Sequence, residues 1–229
     1  MKKFDVILFD ADDTLFDFQK SEKYNLKKTF DDFDVEYNEQ IEGEYNKINK
    51  ALWEEYNKGN ISKEYLKSIR FKQLFDIYGI KENSDNFNEA YLTNLSENSY
   101  LMDEAEEVCE ILSKEFKLAI VTNAISSVAH RKIEKSGIST YISYIFVSDD
   151  IGFQKPDTRF FDYVFNKLNS FSKDRMIIVG DSLTSDIQGG VNSGLKTCWF
   201  NQFNKENKTE IKPTYEIRSL KEIISILEE

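Results

Sequence analysis

Asp10 and Asp12 stand two residues apart in Asp10-Ala11-Asp12-Asp13-Thr14-Leu15, at the end of the apolar run that starts at Phe4. Two carboxylates crowded on one turn repel each other unless a cation or a shared proton relieves them. Further signals follow along the chain. Thr122 closes the run FKLAIVT and Asn123 follows it, offering a hydroxyl and backbone amides to an anionic oxygen. Lys155 lies in GFQKPD, where Pro156 and Asp157 open a helical pattern by the chemistry expected at a helix N-terminus. Gly180-Asp181-Ser182, followed by Asp186, sets more carboxylates beside a glycine turn. Carboxylates are hard oxygen ligands, and several around one point with no histidine or thiol suit Mg²⁺. Taken singly, each signal has an ordinary explanation: acidic residues form turns, Thr is β-branched and Lys is usually solvated. Their recurrence at the carboxyl ends of successive predicted strands makes them one candidate site.

The elements that must position these residues can be read from the pattern. Phe4 to Asp10 is a continuous apolar run of strand length, as expected for a strand buried on both faces of a parallel sheet. Phe116 to Thr122, Ile142 to Val147, Arg175 to Val179 and Leu195 to Phe200 repeat that form. Between and after them, Asp103 to Lys114, Ser126 to Ser136, Asp157 to Leu168 and Ser219 to Leu227 carry apolar residues at helical spacing. Alternating strands and helices predict an α/β fold with a doubly wound, mostly parallel, Rossmann-like sheet.

Residues 18–97 break the alternation. They hold no convincing strand but do hold helical runs, among them Ile41 to Tyr56, Ser62 to Tyr78 and Ser84 to Ser96. The expected organisation is an α/β core of residues 1–17 and 98–229 with a helical cap domain, 18–97, inserted after the first strand. An insert leaving there is expected over the carboxyl edge of the sheet, where open α/β folds bind ligands. Asn201 to Asn207 reads as a surface loop.

Composition narrows the partners. The chain has 229 residues and a net charge of −11, which argues against a nucleic acid polymer or an anionic membrane surface. Gly 9 and Pro 2 are too few for a β-sandwich rich in tight turns. No run approaches the roughly 20 apolar residues that span a bilayer, and the acidic residues from Asp10 onward interrupt any export signal, so a cytoplasmic address is expected. Cys109 and Cys198 lie far apart with no CxxC spacing and read as buried thiols.

The ordered set D-x-D-x-T-L, apolar run plus Thr, Lys-Pro, and Gly-Asp-x4-Asp resembles the four motifs of the haloacid dehalogenase superfamily of aspartyl phosphotransferases, across essentially the whole chain. The insert resembles the cap of the subgroup whose lid follows the first motif. FDADDTLF, the LW at Trp53 with NKGNISKEYLKSIRF after it, KPDTRFFDYVF and GDSLTSDIQGGVNSGLKTCWFN are most similar to pyrimidine 5'-nucleotidases that clear noncanonical nucleotides. Ala124 and Gln154 depart from that pattern, which often has Gly after Thr-Asn and a small residue before the Lys.

The resemblance implies a Mg²⁺-dependent phosphomonoesterase acting on a small phosphate ester such as dUMP, dTMP or UMP. It implies Asp10 as the nucleophile that becomes an aspartyl-phosphate, and Asp12 as acid for the leaving oxygen and then base for water. The metal falls to the carboxylates of Asp10 and Asp181 and the backbone carbonyl of Asp12, with Asp186 behind them. Thr122, the Asn123 amide and Lys155 are expected on the phosphoryl oxygens.

A dehalogenase on this fold lacks an acid two residues after its nucleophile, so Asp12 favours phosphoryl transfer. Sugar phosphomutases and phosphatases for phosphoglycolate or sugar phosphates would keep all four motifs. A phospho-Asp signalling receiver would be about half this length and would lack Gly-Asp-x4-Asp. His130 sits in a helical pattern away from the motifs and is expected to have no catalytic role. Phe18, Trp53 and Tyr56 are candidates for stacking a pyrimidine, although aromatics at helical spacing usually form core.

Overall fold

The fold is that of a computed structural model, which describes residues 3–228. The chain divides into two compact units, one of Met1–Phe18 with Ser99–Glu229 and one of Gln19–Asn98.

The first unit is built on six strands: β1 (Val6–Phe9), β2 (Lys117–Thr122), β3 (Ile142–Val147), β4 (Met176–Gly180), β5 (Lys196–Phe200) and β6 (Tyr215–Ile217). They lie in the order β3-β2-β1-β4-β5-β6, each parallel to its neighbours. The expected doubly wound parallel sheet is therefore present. The sixth strand, three residues long, carries too little pattern to be read from sequence. Alternation sorts the strand residues onto two faces. Ile7, Phe9, Ile120, Ile177 and Val179 pack with Ala105, Val108, Cys109 and Leu112, whereas Val6, Leu8, Val121 and Ile178 pack with Phe160, Phe161 and Val164. A strand buried on both faces is why VILF reads as an unbroken apolar run. Cys109 and Cys198 are buried and unpaired, and burial pushes the Cys109 thiol up to about 12 and the Cys198 thiol higher still.

The second unit consists of α1 (Phe18–Asp32, its first residue in the core unit), α2 (Glu39–Asn57), α3 (Lys63–Tyr78) and α4 (Ser84–Glu97). Side-chain caps start three of them: Asn38 accepts from the Gln40 and Ile41 N–H groups, Ser62 from Tyr65 and Asn83 from Asn86. Its interior is aromatic, with Phe71 and Phe87 edge-on at 4.8 Å and Tyr45 stacked on Phe71 at 5.2 Å. Of the stacking candidates, Tyr56 is buried with Leu52 and Leu66, and Trp53 meets it edge-on at 5.5 Å, so both contribute to this unit's own packing. Phe18 is half-buried. No helix among the described residues is long and apolar enough to cross a membrane.

The core helices are α5 (Ala105–Ser113), α6 (Ser126–Lys135), α7 (Ser148–Ile151), α8 (Thr158–Lys167), α9 (Gln188–Asn192) and α10 (Glu222–Glu228). Asp157 caps α8, its side chain accepting from the Arg159 N–H. Residues 202–207 are exposed, whereas Asn201 is buried and bonds Lys205 O at 3.0 Å and Glu216 Oε1 at 2.7 Å.

Candidate active site

The strand order reverses between β1 and β4, the place where open α/β sheets bind ligands outside the strands' carboxyl ends. The residue that follows β1 is Asp10, and the one that follows β4 is Asp181. Phe9 pairs with Val179 in the sheet, and the Asp10 N–H donates to Val179 O at 2.8 Å, which holds Asp10 level with the end of β4. Just beyond Asp181, a π-helical turn over Leu183–Ile187 brings Asp186 back towards the sheet. Carboxylate oxygens of Asp10, Asp181 and Asp186 lie within 4.8 Å of one another.

Lys155 enters this cluster from the loop before α8. It is 1% exposed, and its Nζ donates to Asp10 Oδ1 at 2.7 Å, Asp186 Oδ1 at 2.6 Å and Val121 O at 2.6 Å. An ammonium has three donors, and all are used here. Expected on the phosphoryl oxygens, Lys155 is held here by three protein acceptors, with its charge set among the carboxylates. Thr14 adds a hydroxyl, donating to Asp10 Oδ2 at 3.3 Å.

Crowding leaves an electrostatic mark. Burial, with Asp186 nearby, pushes Asp10 up to about 7 against the opposing pull of Lys155. Burial and the charges of Asp10 and Asp186 raise Asp181 well above the ordinary carboxylate range. Burial pulls the Lys155 ammonium down, but Asp10 and Asp186 outweigh it and hold it above its usual value. Three carboxylates against one ammonium would repel an anionic substrate. An all-oxygen donor set this crowded fits a small divalent cation such as Mg²⁺.

Asp186 is itself fixed at both oxygens, by Lys155 on Oδ1 and by the Ser182 N–H on Oδ2 at 3.1 Å. A Cβ on Gly180 would lie 2.4 Å from Asp186 Cγ, so only glycine lets this side chain pass the end of β4. Gly180→Ala is expected to displace Asp186, costing about 1–3 kcal/mol of stability and roughly tenfold or more in turnover. A thermal melt and a rate measurement check it, and a variant indistinguishable from wild type in both would contradict the geometry.

The other expected site residues take different places. The Thr122 hydroxyl is buried and accepts the Ala124 N–H at 3.1 Å. Asn123 was expected to act through its backbone amide, yet its side chain also has a role: Oδ1 accepts the Lys155 N–H and Nδ2 donates to Lys155 O, both at 2.9 Å. This clamp ties the end of β2 to the Lys155 loop. The Asp12 carboxylate lies outside the three-acid cluster and pairs with Lys132 of α6. Nothing in local spacing marks Lys132, nor Trp199, whose Nε1 donates to Asp181 O at 2.8 Å. His130 is exposed and meets Asp150 Oδ2 at 2.7 Å.

Comparison with known proteins gives the family. The model of the haloacid dehalogenase-like hydrolase family matches residues 7–200. The HAD-hydrolase YfnB of Bacillus subtilis is 39% identical over 227 residues, 99% of this chain and 97% of that one. Its magnesium-bound crystal structure superposes with a TM-score of 0.93, covering 100% of both chains. The pyrimidine 5'-nucleotidase PynA of Streptococcus pneumoniae is 31% identical over 223 residues, 97% of this chain and 94% of its own. The pyrimidine 5'-nucleotidase YjjG of Escherichia coli is 31% identical over 225 residues, covering 98% of both. The chain belongs to the haloacid dehalogenase-like hydrolases.

Proposed function

We infer that this hydrolase is a Mg²⁺-dependent phosphomonoesterase that works through an aspartyl-phosphate on Asp10, and that its substrates are pyrimidine nucleoside 5'-monophosphates. The observation that carries the chemistry is the junction of Asp10, Asp181, Asp186 and Lys155 at the sheet's switch point, with Asp12 two residues beyond the nucleophile. The substrate class rests on full-length similarity to two pyrimidine 5'-nucleotidases.

Cleaving a phosphate ester needs an in-line nucleophile, relief of charge on the phosphoryl oxygens and a proton for the leaving alkoxide. Asp10 supplies the nucleophile. Lys155 holds its Oδ1 and Thr14 its Oδ2, so the carboxylate cannot turn away from the ester. Asp12 protonates the departing oxygen and then, as carboxylate, takes a proton from the water that hydrolyses the intermediate. The carboxylates of Asp10 and Asp181 and the backbone carbonyl of Asp12 would hold Mg²⁺, which would supply charge relief for the phosphoryl group. Asp186, with both oxygens already engaged, orients Lys155. The Thr122 hydroxyl, the Asn123 backbone N–H and the Lys155 ammonium take the remaining phosphoryl oxygens, and the buried Lys155 charge draws the anion in.

Phosphate release measured over a panel of nucleotides, sugar phosphates and phosphoglycolate tests this reading. Rates on dUMP, dTMP or UMP are expected to exceed those on the other esters by about tenfold or more, a margin that site contacts to the base can supply. EDTA is expected to stop turnover and added Mg²⁺ to restore it. If the Mg²⁺-loaded protein hydrolyses no phosphomonoester, the reading fails. A preference for sugar phosphates or phosphoglycolate removes the substrate claim alone.

A further inference from the structure

The mechanism asks Asp12 to give a proton and then to take one, and a group with that task needs a fixed orientation. Asp12 stands on the turn after β1 with its side chain 27% exposed, so burial alone does not hold it. The hold comes from α6. Lys132 is 3% exposed, its Nζ hydrogen-bonds Asp12 Oδ1, and that ammonium lies 4.8 Å from the centre of the Phe16 ring. Phe16 belongs to the same turn, its carbonyl accepting the Asp13 N–H at 2.7 Å and its own N–H donating to Ala11 O at 2.9 Å. A buried ammonium needs an anionic partner, and here that partner is the proposed acid. Among the described residues, no donor takes Asp12 Oδ2.

We propose that Lys132 is a positioning residue for the reaction: it fixes Asp12 through Oδ1 and the Phe16 ring face, and presents Oδ2 as the oxygen that carries the proton. This rests on the phosphomonoesterase reading above. In the first half-reaction an Asp10 oxygen bonds to phosphorus, and the bond from phosphorus to the ester oxygen breaks with its electron pair on that oxygen. The Oδ2 proton then moves there and the alcohol leaves. In the second, Oδ2 takes a proton from water as the water oxygen bonds to phosphorus. The bond from phosphorus to Asp10 breaks, freeing inorganic phosphate and the Asp10 carboxylate.

The demand on Asp12 depends on the leaving group. An alkoxide departs poorly without a proton, whereas a nitrophenolate departs well without one. The test therefore compares kcat/KM for an alkyl phosphate that wild type turns over with kcat/KM for p-nitrophenyl phosphate, both with Mg²⁺. Lys132→Met keeps the length of the stem and removes the ammonium. It is expected to cost about thirtyfold on the alkyl ester and about threefold on the aryl ester, part of the 10²–10⁴ that a placed acid contributes. Lys132→Arg should recover the alkyl ester to within about fivefold of wild type, because it restores a cation on Oδ1. In an Asp12→Asn background, Lys132→Met should remove no more than about a further twofold, since residues that act as a unit are non-additive.

Equal losses on the two esters, or losses that multiply in the double variant, overturn the assignment and leave Lys132 as a structural ion pair. If Lys132→Met does not fold, Lys132→Gln, which keeps a donor for Oδ1, enters the same comparison with Lys132→Leu. Gln is then expected to retain the alkyl rate that Leu loses, and equal rates for the two overturn the assignment. A wild-type protein that hydrolyses neither ester overturns the phosphatase reading and the role of Lys132 with it. A wild type active on both, with no ester dependence in the variants, overturns only the latter.

Discussion

Asp10→Asn is expected to lower turnover by at least about four orders of magnitude, because removing the nucleophile of a covalent mechanism leaves only binding and electrostatic stabilisation. Wild type incubated with a ³²P-labelled substrate should carry a hydroxylamine-sensitive phosphoryl group, and the variant should carry none. The same substitution should not unfold the protein. Asp10 is crowded by Asp186 and Asp181, and an amide there removes repulsion while Lys155 keeps its bond to Asp186. The pH dependence separates the two effects. With its carboxyl raised from the ordinary 3.8 to about 7 by burial first and then by Asp186, Asp10 binds its proton more tightly folded than unfolded. The metal-free wild type therefore loses stability as pH rises through that window, and Asp10→Asn should lose less. Melting curves in EDTA at successive pH values check the sign. Residual turnover close to wild type, or labelled variant protein, would sink the assignment of Asp10.

The strands and the acidic site were legible in the sequence for one reason. A parallel strand buried on both faces reads as an unbroken apolar run, and the site residues follow such runs directly, as Asp10 follows VILF and Asp181 follows β4. What was not legible depends on packing between distant segments or on diluted patterns. The buried side of α1 holds Ser21, Asn25 and Thr29 beside Leu26 and Phe30, so its apolar periodicity is too thin to mark it. The Asp12–Lys132 pair joins residues 120 apart in sequence and is set by how α6 packs beside the turn after β1. The Asn123 clamp on the Lys155 peptide likewise spans 32 residues. Residue type and spacing can place a group at a strand end. They cannot say which protein oxygens a group will meet, and nothing local to Lys155 marks its bonds to Asp10, Asp186 and Val121 O.

Lys155→Met makes the weight of those bonds measurable. Methionine replaces most of the buried stem, so little packing is lost, and the change isolates the charge. Without the ammonium, Asp10 and Asp186 lose the cation bonded to both, and Val121 O loses a donor at 2.6 Å. Removing one partner of a buried ion pair typically costs about 3–5 kcal/mol, because the remaining charge is left uncompensated. The loss should therefore appear as a lower denaturant midpoint in EDTA. Mg²⁺ binds the folded state in preference to the unfolded one and should return part of that stability by mass action. Turnover has no such substitute: the fixed charge that orients Asp10 and draws in the ester is gone, and a loss of about 10³ is expected from removing a preorganised electrostatic group. A variant as stable as wild type in EDTA would mean that the carboxylates shed their charge at no cost. Turnover within about tenfold of wild type would mean that Lys155 serves the fold and not the reaction.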